Sequence, residues 1–222
     1  MPLDLNPKPI LYLITSGATT QATNPNSPEF SSILYLVETS VRAGISLIQL
    51  REKNLHARTL FELTLRAARL TKGSATRLLV NDRADIALSA GADGVHLTTR
   101  SLSADIIRRS FGENFLIGVS THSLDEAQAA RDGGADFAVF GPVFDTPSKR
   151  AYGQPLGLDN LREAAQSLQK FPLIAIGGVT LETYAEALRA GARGIAAIRL
   201  FDDPRTIAGV IKSIHAGYSK EQ

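Results

Sequence analysis

The amino-acid sequence predicts a single-domain (β/α)8 TIM barrel, because two regularities recur along its 222 residues. Short apolar runs of strand length alternate with longer amphipathic segments, which is the order expected of a parallel sheet covered by helices. A short motif such as Ala-Gly-Ala also recurs, with its middle residue at Gly44, Gly91, Gly134 and Gly191. Each motif is typical of a helix end followed closely by a buried strand. Together the apolar runs indicate about eight strands, which is the number in this barrel.

The first half of the chain supplies the first strands and helices, after an N-terminal extension of residues 1–9. Apolar runs predict the strands Ile10–Thr15, Leu47–Leu50 and Leu78–Val80. We expect Ser31 or Ser32 to cap the first helix, which would end near Ala43. The second helix is predicted over Ala57–Lys72, because apolar residues recur there at helical spacing.

The second half continues the same alternation of strands and helices. Further apolar runs predict the strands Phe115–Val119, Phe137–Phe140, Leu173–Ile176 and Gly194–Ile198. Ser123 and Glu126 have the spacing of a capping box, which would open a helix reaching Arg131. The alternative fold is an open, doubly wound sheet. We rank it below the barrel because no GxGxxG motif follows the first strand.

Composition and charge exclude several classes of function. The chain has 24 basic and 22 acidic residues, and their interleaving leaves no positive surface typical of nucleic-acid binding. It has no cysteine, which fits a cytoplasmic location and removes disulfide and thiolate chemistry. The N-terminal segment lacks a long apolar run, so we expect neither a signal peptide nor a membrane partner. The sequence does not determine an oligomeric state, and a homodimer is compatible with it.

Polar residues occupy the predicted strand ends, where the active site of such a barrel lies. These positions hold Gln49, Arg51, Lys53, Asn81, Asp82, His96, Ser120, His122, Gly178 and Arg199. Each residue alone has a structural explanation, such as an ion pair for Arg51 or a helix cap for Asn81. Because all of them should fall at the same end of the barrel, we interpret them as one site. When Thr121 and the segment with Thr146, Ser148 and Lys149 are included, cationic and hydroxyl donors dominate, which predicts a phosphorylated or diphosphorylated ligand.

A long segment after Phe140 has little periodicity and contains Thr146, Ser148 and Lys149. Its hydroxyl and ammonium groups suit an anion, although ordinary surface loops have a similar composition. Two histidines need separate interpretations. His96 lies between apolar neighbours and is read as a structural histidine with satisfied hydrogen bonds, whereas His122 is a candidate acid–base group. A role at the start of a helix explains His122 equally well.

Several motifs occur in order along the chain: Gln49-Leu50-Arg51-Glu52-Lys53, Asn81-Asp82-Arg83, Gly94-Val95-His96-Leu97, Ser120-Thr121-His122-Ser123, Gly141-Pro142-Val143-Phe144 with Thr146-Pro147-Ser148-Lys149, and Ala175-Ile176-Gly177-Gly178-Val179. Together they resemble the motifs of the thiamine phosphate synthase family. The resemblance runs from about residue 11 to residue 204.

The resemblance implies a transferase that joins a hydroxymethylpyrimidine diphosphate to a thiazole phosphate, with Mg2+, and releases diphosphate. It implies that Gln49, Arg51, Lys53 and Asn81 hold the diphosphate and that Asp82 binds the metal. Ser120, Thr146, Ser148 and Lys149 would hold the pyrimidine substrate and the leaving diphosphate, and Gly178 would contact the thiazole phosphate. Arg51, Lys53 and Lys149 would then be catalytic, because they stabilise charge on the leaving group.

Two positions depart from the family pattern. Ser101 stands where the family has a second metal-binding aspartate, and Arg199 stands where it has a phosphate-binding serine. Serine is a poor replacement for a charged oxygen ligand, whereas arginine still binds phosphate. The related thiazole tautomerases lack a full metal site and use a histidine at the position of His122. The alternatives to the synthase are therefore such a tautomerase, with His122 as the proton shuttle, or a non-catalytic sensor of phosphorylated ligands.

Overall fold

The computed structural model describes residues 8–146 and 154–219, which form a closed barrel of eight parallel strands in chain order. The strands are β1 (Ile10–Ile14), β2 (Leu47–Leu50), β3 (Arg77–Asn81), β4 (Gly94–Leu97), β5 (Leu116–Thr121), β6 (Phe137–Phe140), β7 (Leu173–Ile176) and β8 (Gly194–Ala197). The helices are α1 (Pro28–Ala43), α2 (Ala57–Thr71), α3 (Ala84–Ser89), α4 (Ala104–Phe111), α5 (Leu124–Asp132), α6 (Gly157–Leu168), α7 (Tyr184–Arg189) and α8 (Ile207–Tyr218). The predicted barrel is confirmed, and the open sheet is excluded because β1 pairs with β8.

Alternation along the strands divides the core into an inner and an outer part. Tyr12, Leu79, Phe137 and Ile174 belong to a buried cluster made mainly of strand side chains, which fills the barrel. The intervening residues, such as Leu13 and Val80, belong to a second buried cluster that includes side chains of the surrounding helices. The strands therefore direct one set of side chains into the barrel and the alternate set toward the helices.

The recurring glycines lie where helices end, as predicted. Gly44, Gly91, Gly134 and Gly191 have φ angles of 83°, 77°, 83° and 100°, in the left-handed region that favours glycine. The N–H group of Gly44 bonds to the carbonyl oxygens of the last turn of α1, and the buried strand β2 follows after two residues. The recurring glycine motif therefore marks the point where a helix ends and the chain turns back into the barrel.

The start of α1 differs from the prediction. The helix begins at Pro28 with Ser27 at the N-cap, not at Ser31 or Ser32. Asn24 and Ser27 form a local turn, in which the Asn24 N–H donates to the Ser27 hydroxyl at 2.9 Å. Proline at the first helical position has a fixed φ that suits helix initiation, so the helix starts at the end of this turn. In the described part of the chain, no helix combines the length and apolarity needed to cross a bilayer.

Candidate active site

The predicted site residues lie at the carboxyl end of the barrel. Ser120 lies in β5 and Asn81 ends β3, while Arg51, Asp82 and Arg199 follow β2, β3 and β8. Because all eight strands are parallel, these ends meet at the same mouth. Ser148 and Lys149 lie outside the described residues. Sequence reasoning therefore identified the correct end of each strand, whereas the ligand contacts assigned to these residues stay predictions.

The segment after β1 is attached to the end of β2 by Glu52, a residue that sequence reasoning missed. Its buried carboxylate accepts hydrogen bonds from the hydroxyls of Thr15 and Thr19 at 2.6 and 2.7 Å. It also accepts from the backbone N–H groups of Gly17 and Thr19 at 3.2 and 3.3 Å. Thr15 Oγ1 in turn accepts from the N–H of Arg51 at 2.9 Å. The sequence did contain an indication of this role, because Glu52 is a carboxylate placed between two cations directly after a strand.

Arg51 is half-buried beside this segment, and Lys53 is exposed two residues later. A Cβ atom added at Gly17 would lie 3.5 Å from Nη1 of Arg51 and 3.1 Å from its carbonyl oxygen. Gly17 also has a φ of 75°, so glycine suits both the backbone and the tight contact. This close packing fixes the backbone of Arg51, and the two cations at the end of β2 form a positive region at the mouth.

Asp82 is an exposed carboxylate in an uncommon backbone conformation. Its φ is 63°, which few non-glycine residues adopt, although aspartate and asparagine do so more readily than others. Its N–H donates to the carbonyl oxygen of His96 at 2.9 Å, which continues the pairing of β3 with β4. The turn places Asp82 at the mouth and leaves its carboxylate at the surface, where a cation could bind.

Ser101 stands where the family has its second metal-binding aspartate, and in this chain it contacts a nearby residue. The hydroxyl of Ser101 accepts a hydrogen bond from the N–H of Thr98 at 2.8 Å and lies 3.2 Å from Thr98 Oγ1. The nearest aspartate in sequence to Asp82 is also engaged, because Arg83 binds both carboxylate oxygens of Asp85 at 2.8 and 2.6 Å. That contact lowers the pKa of Asp85. Within residues 8–146 and 154–219, no three His, Cys, Asp or Glu side chains form a cluster suited to a metal.

A buried chain of polar groups runs through the barrel interior. Gln49 Nε2 donates to the Tyr12 hydroxyl at 3.0 Å, and that oxygen lies 3.3 Å from His96 Nδ1. His96 Nε2 lies 2.8 Å from the Ser120 hydroxyl. The prediction of a structural histidine with satisfied hydrogen bonds is confirmed, and the ring also connects the interior to a predicted substrate residue. Sequence reasoning missed Tyr12, because tyrosine in a buried strand looks like an ordinary core residue.

His122 lies after β5, and its side chain is 46% exposed. Its backbone N–H donates to Glu126 Oε2 at 2.6 Å, and its ring Nδ1 lies 3.2 Å from the same oxygen. The Glu126 N–H donates to the Ser123 hydroxyl at 3.1 Å, which caps α5. One half of the predicted capping box is confirmed, but the Glu126 carboxylate bonds to His122 where the motif predicts a bond to Ser123. His122 therefore contacts the first turn of α5 through Glu126.

The opposite side of the mouth is formed by the segments after β6, β7 and β8. Arg199 Nη2 donates to Thr146 Oγ1 at 3.3 Å, which connects β8 to the segment after β6. A Cβ atom at Gly178 would lie only 2.6 Å from the carbonyl oxygen of Asp145 and 2.7 Å from Phe144 Cβ. Glycine is therefore required at Gly178 by close packing against this segment. Its contact with a thiazole phosphate stays a prediction.

Comparisons with known proteins agree with this arrangement. The family profile described as thiamine monophosphate synthase matches residues 11–201. A protein of Geobacter sulfurreducens is 46% identical over 185 residues, which cover 82% of this chain and 86% of that protein. The thiamine-phosphate synthase of Chloroflexus aurantiacus is 38% identical over 189 residues, covering 85% of this chain and 82% of its own length.

A solved structure supports the same assignment. The thiamine phosphate pyrophosphorylase of Pyrococcus furiosus superposes with a TM-score of 0.78 at 29% identity. The match covers 97% of this chain and 98% of that chain, so it includes the whole barrel. This chain belongs to the thiamine monophosphate synthase family.

Proposed function

We propose that this chain is a thiamine phosphate synthase, a transferase that couples a hydroxymethylpyrimidine diphosphate to a thiazole phosphate. The proposal is supported by the names of its relatives and by the residues at the barrel mouth. The observation with most weight is the anchoring of Arg51 beside the end of β2, where the Thr15–Glu52 network holds its backbone. An enzyme that expels diphosphate needs fixed cations beside the leaving group, because they stabilise the charge that develops there.

In the proposed reaction, the carbon–oxygen bond between the pyrimidine methylene and the diphosphate breaks. The electron pair leaves with the diphosphate oxygen, and the thiazole nitrogen then donates its lone pair to the resulting carbocation. Arg51 and Lys53 hold the phosphoryl oxygens, and Ser120 donates a hydrogen bond to the pyrimidine diphosphate. Lys149 belongs to the same proposed set, together with Gln49, Asn81, Thr146 and Ser148. Gly178 and Arg199 are proposed to contact the thiazole phosphate.

The side chains fit a magnesium ion only in part. Asp82 offers one exposed carboxylate, while Ser101 and Asp85 are engaged with Thr98 and Arg83. Magnesium is commonly held by one or two carboxylates together with substrate phosphates, so Asp82 with a bound diphosphate is a suitable set. When bound there, the ion would neutralise charge on the leaving diphosphate.

We expect Mg2+ to bind weakly to the free protein and clearly when inorganic diphosphate is present, because Asp82 alone offers too few ligands. Calorimetric titration of the protein, with and without diphosphate, measures this difference. A titration of diphosphate without protein corrects for binding in solution. The Asp82→Asn variant should lose the diphosphate-dependent component. Tight binding of Mg2+ to the free protein would contradict the expectation and indicate a different carboxylate.

There are two alternative functions, and the first has a specific observation in its favour. A thiazole tautomerase is favoured by Ser101 in place of the second aspartate and by the exposed His122 beside Glu126. Isomerisation needs a proton shuttle and no metal. A non-catalytic sensor of phosphorylated ligands would keep the cationic mouth without the chemistry. We prefer the synthase because Arg51, Asn81 and Asp82 are all present at the mouth.

A coupling assay tests the proposal. Purified protein is incubated with the pyrimidine diphosphate, the thiazole phosphate and Mg2+, and thiamine phosphate and released diphosphate are measured. The synthase should form both products in equal amounts. Failure to couple, together with isomerisation of a thiazole carboxylate phosphate, would establish the tautomerase. Binding of phosphorylated ligands without either reaction would favour the sensor. A cytoplasmic location and a homodimeric assembly stay predictions.

A further inference from the structure

The hydrogen-bonded chain in the barrel interior has a direction. The Tyr12 oxygen accepts a hydrogen bond from Gln49 Nε2 at 3.0 Å, and its other neighbour is His96 Nδ1 at 3.3 Å. A phenol oxygen can accept two hydrogen bonds but has a single proton to donate. Tyr12 is fully buried, and in the described part of the chain its hydroxyl has only Gln49 and His96 as hydrogen-bond partners, so donation to His96 Nδ1 is the arrangement that leaves no buried proton unpaired. Burial raises the pKa of Tyr12, so the hydroxyl keeps its proton. His96 Nδ1 is consequently an acceptor.

The protonation state of His96 determines the direction of its hydrogen bond with Ser120. His96 is buried, and its ring contacts the neutral groups of Tyr12, Ser120 and Phe137, so a charge on the imidazole would be uncompensated and the ring is neutral near pH 7. A neutral imidazole has one N–H group and one acceptor nitrogen. Because Nδ1 accepts, the proton lies on Nε2 and is donated to Ser120 Oγ at 2.8 Å. The proton of Ser120 is therefore directed away from the ring.

We propose that Tyr12 and His96 are positioning residues that fix the Ser120 hydroxyl as a hydrogen-bond donor toward the phosphorylated substrate. The inference relies on the proposed function only for the identity of that substrate. If the hydrogen bonds ran in the opposite direction, the Ser120 proton would point toward His96 and only oxygen lone pairs would face the mouth. Lone pairs facing an anion are repulsive, whereas a donated proton is attractive. The direction of the chain thus decides whether Ser120 favours or opposes binding.

Packing holds the rings of the chain in place. Phe137 packs edge-on against Tyr12, with ring centroids 5.8 Å apart, and its centroid lies 6.3 Å from that of His96. A Cβ atom at Gly118 would lie 2.3 Å from Phe137 Cζ and 3.0 Å from His96 Nδ1. Glycine is therefore required at this position, and the rings fill the space beside it. A flipped imidazole would place carbon atoms opposite Tyr12 and Ser120 and lose both hydrogen bonds.

Nitrogen-15 NMR of the ligand-free protein tests the direction without any substrate. The proposal expects His96 to be protonated at Nε2 and unprotonated at Nδ1 near pH 7. The Tyr12→Phe variant should show a rise in the fraction protonated at Nδ1, because the donor that selects the tautomer is removed. Protonation at Nδ1 in the wild type, or at both nitrogens, would overturn the proposal.

A double-mutant cycle tests whether Tyr12 acts through Ser120. Tyr12→Phe should raise the KM for the pyrimidine diphosphate about threefold to tenfold, which corresponds to the loss of roughly one hydrogen bond. The same substitution in a Ser120→Ala background should have little further effect, because the group that it positions is absent. Independent effects that multiply would overturn the proposal and assign Tyr12 a structural role.

Ile174→Val is the matched control. Ile174 is fully buried in the same inner cluster, but its side chain is apolar and does not belong to the hydrogen-bonded series from Gln49 to Ser120. The control should lower the melting temperature while leaving the His96 tautomer and the KM unchanged. A KM effect equal to that of Tyr12→Phe would overturn the proposal. If the wild type does not couple the precursors, the proposed function fails, whereas the tautomer measurement still decides the direction of the chain.

Discussion

Replacing Asp82 with asparagine is expected to slow coupling of the two thiamine precursors by about a hundredfold or more, because the leaving diphosphate loses the carboxylate that would hold its metal. Asparagine is the appropriate substitute. Asp82 has a φ of 63°, and asparagine tolerates this backbone conformation better than alanine does. A steady-state assay measures the rate, and thermal unfolding should show a similar stability. A rate within a few-fold of the wild type would remove Asp82 from the mechanism.

His122→Ala distinguishes the two enzymes in the same assay. In the synthase, most of the coupling rate should remain, because His122 contacts Glu126 at the exposed start of α5. In the tautomerase, loss of a general acid or base should lower the isomerisation rate about a hundred- to ten-thousandfold. The combination of an inactive Asp82→Asn and an active His122→Ala supports the synthase. The opposite combination supports the tautomerase.

The barrel could be predicted because its repeating unit leaves a local signal. A glycine in the left-handed conformation ends a helix, and a buried strand follows within a few residues, as at Gly44 and β2. Both features depend on neighbouring residues only. The start of α1 was placed wrongly because two serines at positions 31 and 32 compete with Ser27 as possible caps. The turn formed by Asn24 and Ser27, followed by Pro28, decides the outcome.

The site was predicted less completely than the fold, because the residues that support it are distant in sequence. The hydrogen bond between Tyr12 and His96 joins residues 84 positions apart, and that between His96 and Ser120 joins residues 24 positions apart. Polar residues at strand ends could be recognised from the strand pattern. Tyr12 could not, since an inward-facing tyrosine in a buried strand has no pattern of its own.

The two departures from the family pattern acquire a physical explanation in the structure. Ser101 has a local partner in Thr98, so its hydroxyl stabilises a turn even though it cannot supply the charge of an aspartate. Arg199 donates to Thr146, so its long side chain spans from β8 to the segment after β6. Both residues therefore have a structural role that sequence comparison with the family pattern does not reveal.

Glu52 is the residue whose replacement should change stability most among those near the mouth. Four hydrogen bonds from Thr15, Gly17 and Thr19 converge on its carboxylate, and the side chain is 3% exposed. The same Thr15 hydroxyl holds the backbone of Arg51. The network thus connects the stability of the segment after β1 with the placement of a proposed catalytic cation.

Glu52→Gln should lower the free energy of unfolding by about 1–3 kcal/mol, because the amide NH2 group cannot accept and leaves the backbone N–H of Gly17 or Thr19 without a partner. Chemical denaturation measures the change. The KM for the pyrimidine diphosphate should also rise, since Arg51 loses its anchor. Glu38→Gln is the matched control: its exposed ion pair with Arg42 on α1 should contribute less than about 0.5 kcal/mol. If Glu52→Gln lowers stability no more than Glu38→Gln does, the network does not stabilise the fold. If stability falls while the KM stays constant, Arg51 is held independently of Glu52.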